Sequence, residues 1–166
     1  MKNILIFICS LMIFGCSDSY LDNVYTDRAI NHTVYYNDEF NSLHSINDIL
    51  VYMESEKFQY KNDFTDFWKN PEDTFISKSG DCEDFCILFM DICKVSLNIE
   101  TTLILVNATE FFSIYNRGIV SGGSVSHALV NLNGRLFDLN VNAEVGEYSY
   151  YMEAIGYEYS FSEIFN

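Results

Sequence analysis

At 166 residues the chain has room for one domain with a single core and too little for two. Its 24 acidic and 9 basic residues give a formal net charge of −15, which repels nucleic acid and anionic headgroups and excludes nucleic-acid binding as a function. The same acidity suits a solvated surface, cationic partners or divalent ions.

The chain opens with Met1, Lys2 and Asn3, continues with an apolar run over residues 4–14, and then changes abruptly to Gly15, Cys16, Ser17 and Asp18. The run falls short of the ~20 residues that span a bilayer, and its basic start and small residue before Cys16 read as a secretory signal. Ile13, Phe14, Gly15 and Cys16 resemble a bacterial lipobox. That resemblance implies a diacylated Cys16 as first residue of the mature chain, anchored in the membrane of a bacterial cell envelope. The expected organisation is a signal peptide over residues 1–15, a lipidated tether over 16–37 and one domain over 38–166. Of the five cysteines, Cys9 leaves with the signal and Cys16 carries lipid. Cys82, Cys86 and Cys93 remain on one predicted helix, a poor disulfide framework, so Cys86 and Cys93 read as small buried apolar residues. A zinc site on Cys82 and Cys86 would need two further ligands from His32, His44 and His127, and is set aside.

Ser45, with Asp48 three residues on, opens a helix whose apolar residues Ile46, Ile49, Leu50 and Met53 share one face and which is expected to end near Tyr60. A turn at Lys61, Asn62 and Asp63 follows, then Phe64, Phe67 and Trp68; Trp68 reads as a core aromatic. Asn70 and Pro71 mark a break, and residues 72–78 form a short helix feeding a turn at Ser79 and Gly80. Asp81 then serves as N-cap with Asp84 as its capping-box partner, which places Cys82 in the first turn of a helix running to Leu97. Apolar or cysteine side chains at 85–90, 92, 93, 95 and 97 leave that helix no fully polar face, so it is the buried centre of the domain. Residues 101–106 read as a buried strand. Phe111, Phe112, Ile114 and Tyr115 suggest an edge strand, and Gly118, Gly122 and Gly123 a loop at the wall of a cleft. Residues 125–132 and 135–141 are strands joined by Asn133 and Gly134, a strong two-residue hairpin signal. The tyrosine-rich stretch after Asn142 reads as an irregular or edge-strand wrap.

A thiol at the start of a helix feels its positive end, which favours the thiolate, the form that attacks carbonyl carbon. With a two-residue loop, residues 127, 129 and 131 share a sheet face with 136, 138 and 140. Asn140 then stands opposite His127 and Asp138 stands diagonal to it, so either can orient the imidazole. A cysteine at the head of a buried helix, a histidine on a later strand and an acid on the next supply nucleophile, base and orienter for acyl transfer.

Asp66, Phe67, Trp68, Lys69, Asn70, Pro71 and Glu72, followed by Gly80, Asp81, Cys82, Glu83, Asp84 and Phe85, resemble the bacterial transglutaminase-like cysteine proteinases. Ser126, His127, Ala128, Leu129 and Val130, with Leu136, Phe137, Asp138, Leu139 and Asn140, are similar to the superfamily's histidine and aspartate strands. The resemblance spans residues 66–140; Phe85 and Cys86 depart from the family's tyrosine and small residue, and the stretch after Asn140 has no counterpart in it. It implies an α+β fold with a papain-like core, in which the nucleophile heads a buried helix packed on an antiparallel sheet carrying the histidine and the acid. It further implies Cys82 as nucleophile, His127 as general base and Asp138, rather than Asn140, as third member. Family members that depend on calcium direct attention to Asp81 and Glu83 as weak ligands for that ion. Three carboxylates beside Cys82 oppose the helix end and raise the thiol pKa. The function expected is a lipid-anchored envelope cysteine hydrolase acting on protein or peptide through a thioester. The alternatives are a transglutaminase with an amine acceptor and a catalytically silent surface-binding lipoprotein.

Overall fold

Ser45 Oγ accepts the Asp48 amide at 3.1 Å and starts helix α1 (Ile46–Ser55). In the computed structural model, which describes residues 31–61, 68–116 and 126–165, this helix stops short of residue 60. Lys57 takes a left-handed conformation (φ 57°), and the chain leaves as a short strand β1 (Gln59–Tyr60). The expected signal peptide, the lipobox with Cys16, residues 62–67 and the three glycines at 118, 122 and 123 lie outside the described residues.

Pro71 sits in the first turn of helix α2 (Pro71–Ser77), where its missing N–H costs nothing. Lys78, left-handed at φ 50°, turns the chain into β2 (Ser79–Gly80), which pairs in parallel with β1 through Gln59↔Ser79 and Tyr60↔Gly80. The reversal expected at Ser79 and Gly80 is therefore made by Lys78. Gly80 is required for another reason: a Cβ there would stand 2.6 Å from Asp84 Cβ.

Helix α3 (Cys82–Leu97) follows, begun by the Asp81–Asp84 capping box and closed by Asn98 in the left-handed region. Residues 83–93 are all buried, as its unbroken apolar composition requires. Strand β3 (Thr102–Asn107) runs directly into helix α4 (Ala108–Asn116), because Asn107 Oδ1 accepts the amides of Thr109 and Glu110 at 3.0 and 3.3 Å. This helix replaces the edge strand expected from Phe111, Phe112, Ile114 and Tyr115. The cap and the three-residue step from Ala108 to Phe111 prevail over the β-propensity of the aromatics.

Strands β4 (Ser126–Leu132) and β5 (Arg135–Asp138) form the expected hairpin. Asn133 (φ 52°) and Gly134 (φ 81°) make its turn, and Leu132↔Arg135, Asn131↔Leu136 and Val130↔Phe137 are its pairs. Strand β5 ends at Asp138 rather than at residue 141. The chain beyond supplies β6 (Ala143–Glu147), β7 (Ile155–Tyr159) and a terminal turn of helix α5 (Phe161–Ile164). The five strands lie antiparallel in the order β6-β5-β4-β3-β7, so the segment after Asn142 provides both sheet edges.

One face of the sheet, with Leu103, Leu105, Ala128, Val130 and Phe137, packs on α3. The other, with Ile104, Val106, Leu129 and Leu136, is covered by Phe111 and Tyr151. Trp68 is a core residue, edge-on to Tyr159 at 5.4 Å between ring centroids. Part of the stretch read as a tether is tied down: the His32 amide donates to Ile164 O and the Tyr35 amide to Asp91 Oδ1, both at 2.9 Å. Among the described residues no helix is long and apolar enough to cross a membrane.

Candidate active site

The turn carrying Cys82 is fixed from below by Asp84. This fully buried carboxylate accepts the Lys69 amide at 2.8 Å on Oδ1, and its Oδ2 meets Lys69 Nζ at 3.1 Å and the Asp81 amide at 3.4 Å. Burial pushes the Asp84 carboxyl up, and the Lys69 hydrogen bonds and charge pull it back. One side chain thus ties together residue 69, the N-cap and the first helical turn, a convergence that the capping box alone did not reveal.

Cys82 lies at the head of α3, half-buried, with its sulfur 3.3 Å from Glu83 Oε2. Burial raises its thiol pKa well above the ordinary value, and the charges of Glu83 and Asp81 raise it further. Against them stands the amide N–H of Ala128, which points at the sulfur and favours the thiolate. Burial and the neighbouring acids therefore outweigh what favours the thiolate, as the flanking carboxylates led us to expect. Glu83 is itself pushed up to about 8, first by burial and then by Asp81, with which it shares a hydrogen bond. The charge of Asp81 and its hydrogen bond thus favour the protonated form of Glu83.

His127 and Asp138 come together on the hairpin. His127 Nε2 lies 3.0 Å from Asp138 Oδ2, and both residues are buried. Asp138 Oδ1 accepts the Asn140 amide at 3.0 Å, so both carboxylate oxygens are engaged. Because a carboxylate only accepts, the proton of the imidazole sits on Nε2 and Nδ1 is its basic nitrogen. Asn140, the other orienter left open by the strand pattern, is exposed and past the end of β5; only its backbone joins the network.

The ring of His127 packs on two aromatic residues whose β-propensity suits an edge strand. Phe111 and Phe112 of α4 lie 5.8 and 5.4 Å from it, centroid to centroid. The available signal was Asn107, whose side chain caps that helix. The β4–β5 ladder ends at Val130↔Phe137, and beyond it the strands part. The Cys82 sulfur lies against the Ala128 amide in this gap, alongside the peptide joining His127 to Ala128. Strand alternation puts His127 on the face covered by Phe111 and Tyr151, and α3 packs on the opposite face; what meets the Cys82 sulfur from β4 is the amide of the next residue, Ala128.

Among the described residues no cluster of three or more His, Cys, Asp or Glu is arranged to hold a metal ion. Asp81 and Glu83 offer two carboxyls, against the six to eight oxygens that calcium takes. The fit to calcium is incomplete on the residues seen here. Cys86 and Cys93 are buried free thiols, as expected.

An antiparallel sheet backed by a helix with a cysteine at its head defines an α+β fold. Among solved structures this chain is similar to LapG of Legionella pneumophila. The TM-score is 0.51 at 15% identity, covering 74% of this chain and 68% of that one, a likeness of fold. Two further LapG structures, calcium-bound and EGTA-treated, give TM-scores of 0.47 and 0.45 at 15% and 16% identity. They cover 72% and 68% of this chain and 66% and 61% of theirs. Compared with protein families and with curated proteins, the sequence matches none.

Proposed function

We propose that the protein is a cysteine hydrolase of the bacterial cell envelope that cleaves a peptide or amide bond through a thioester on Cys82. The observation that carries the reading is the buried His127–Asp138 hydrogen bond, one residue along β4 from the Ala128 amide that meets the Cys82 sulfur. With Nε2 held by Asp138, Nδ1 takes the thiol proton as the sulfur adds to the carbonyl carbon. The Cys82 amide, at a helix start, contributes one donor to the resulting oxyanion. Collapse of the tetrahedral adduct breaks the C–N bond, and His127 returns the proton to the departing amine. Water, deprotonated by the same nitrogen, then hydrolyses the thioester and restores the thiol.

Because the thiol pKa is raised, Cys82 rests as a thiol and is activated by His127 in the course of attack, unlike a preformed thiolate–imidazolium pair. If calcium acts here, Asp81 and Glu83 are the carboxyls it would engage; no step of the reaction is routed through it. A second reading, a silent binding lipoprotein of the same fold, draws support from that raised thiol pKa. Anchoring through diacylated Cys16 belongs to the proposal on the strength of the lipobox, and loss of detergent-phase partitioning in Cys16→Ser tests it. The hydrolase reading is tested by comparing cleavage of envelope proteins by wild type and Cys82→Ala. Cleavage products present only with wild type support it, and identical peptide profiles overturn it in favour of the silent module.

A further inference from the structure

A recess of about 100 Å³ lies between α1, Phe85 of α3 and the segment that follows Asp138. Its walls belong to the elements that build the site. Tyr60 pairs with Gly80, just ahead of Asp81 and Cys82. Phe85 is one helical turn beyond Cys82, and Leu139 and Asn140 directly follow Asp138. Met53, Phe58, Phe85 and Leu139 give it an apolar lining, with the Phe58 and Phe85 rings 5.9 Å apart.

The polar groups at the recess balance one another. Glu54 and Lys57 bring one charge of each sign, and Asn140 and Asn142 bring neutral amides that can both donate and accept. Such a lining favours neither a cationic nor an anionic side chain, and its apolar part rewards burial of hydrocarbon. An apolar cavity of roughly 150 Å³ accepts a benzene ring, so this volume suits one branched aliphatic side chain. Phe85 and Cys82, three apart, share a face of α3, and Leu139 adjoins Asp138, so the recess neighbours the proposed site.

Resting on the hydrolase reading for its role in catalysis, we infer that this recess is a substrate subsite for an uncharged aliphatic side chain near the scissile bond, with the Asn140 and Asn142 amides binding the adjoining peptide backbone. The probes are N-acetyl-leucinamide, N-acetyl-aspartamide and N-acetyl-lysinamide, titrated into full-length Cys82→Ala protein with backbone amide NMR shifts as readout. The leucine derivative is expected to shift the amides of Phe58, Phe85, Leu139 and Asn142 saturably, at least fivefold more tightly than either charged probe. Phe58→Ala is expected to weaken it about tenfold. As a second variant that leaves the apolar lining intact, Lys57→Glu is expected to improve the lysine derivative several-fold. Shifts elsewhere, no saturable binding, or equal affinity for all three probes would overturn the inference. Since binding is read without turnover, leucine selectivity in a protein whose wild type cleaves nothing would leave the subsite standing and remove the hydrolase reading.

Discussion

His127 Nε2 lies 3.0 Å from Asp138 Oδ2, and the second oxygen of that carboxylate holds the Asn140 amide. The acid is thereby fixed at both ends, and the imidazole is presented with its basic nitrogen turned away from the acid. Removing the acid should cost orientation and leave the nucleophile in place. We expect Asp138→Ala to lower kcat/KM by roughly 100- to 10,000-fold. Asn140→Ala keeps the backbone amide and loses only a side-chain contact at the recess, so it should cost no more than about tenfold. Steady-state kinetics on one cleaved peptide measures both, and the opposite ranking would make Asn140 the orienter.

The thiol of Cys82 is held protonated by burial and by Glu83 and Asp81. Its alkylation by iodoacetamide should therefore rise with pH well beyond the ordinary cysteine range. Glu83→Gln removes the negative charge that Glu83 carries above about pH 8, so the thiol titration should move to lower pH. The alkylation rate near pH 9 should rise several-fold with it. An unshifted profile would show that Glu83 does not govern the thiol.

Asp91 lies inside the domain, fully buried, with Oδ1 accepting the Tyr35 amide and Oδ2 without a hydrogen-bond partner among the described residues. Burial pushes its carboxyl up to about 7. A carboxyl whose pKa is raised on folding binds its proton more tightly in the native state. Stability from this group is present at low pH and falls as pH rises from about 4 to about 7, by at most about 4 kcal/mol. Asp91→Asn keeps the acceptor for Tyr35 and should flatten that slope, leaving the variant more stable than wild type at pH 8 in urea unfolding.

Gly80→Ala would place a methyl group 2.6 Å from Asp84 Cβ, in the cluster that fixes the Cys82 turn. We expect a loss of about 1–3 kcal/mol in unfolding free energy. Activity should fall by more than the unfolded fraction accounts for, because the displaced turn carries the nucleophile.

The core helix, the hairpin and its register were legible in the sequence because each is set locally: Asp81 and Asp84 form a box, and Asn133-Gly134 admits one tight turn. That register alone put His127 and Asp138 on a common face. The aromatic support of His127 was hidden, since Phe111 and Phe112 suit a strand by propensity and only the Asn107 cap decides for a helix. The end of β5 at Asp138 was likewise hidden. It depends on the acid binding the amide of Asn140, a contact that no periodicity announces. The balance of forces on Cys82 could be given a sign from its neighbours, yet the Ala128 amide against the sulfur arises from strands that part, which is a tertiary fact.

The central claim is that Cys82 carries an acyl group during turnover. Wild-type protein mixed briefly with envelope-derived peptides, quenched in acid and weighed intact should show added mass on Cys82 that hydroxylamine removes, and none in His127→Ala. Cleavage that persists in Cys82→Ala, or the absence of any adduct and any cleavage with wild type, would contradict it.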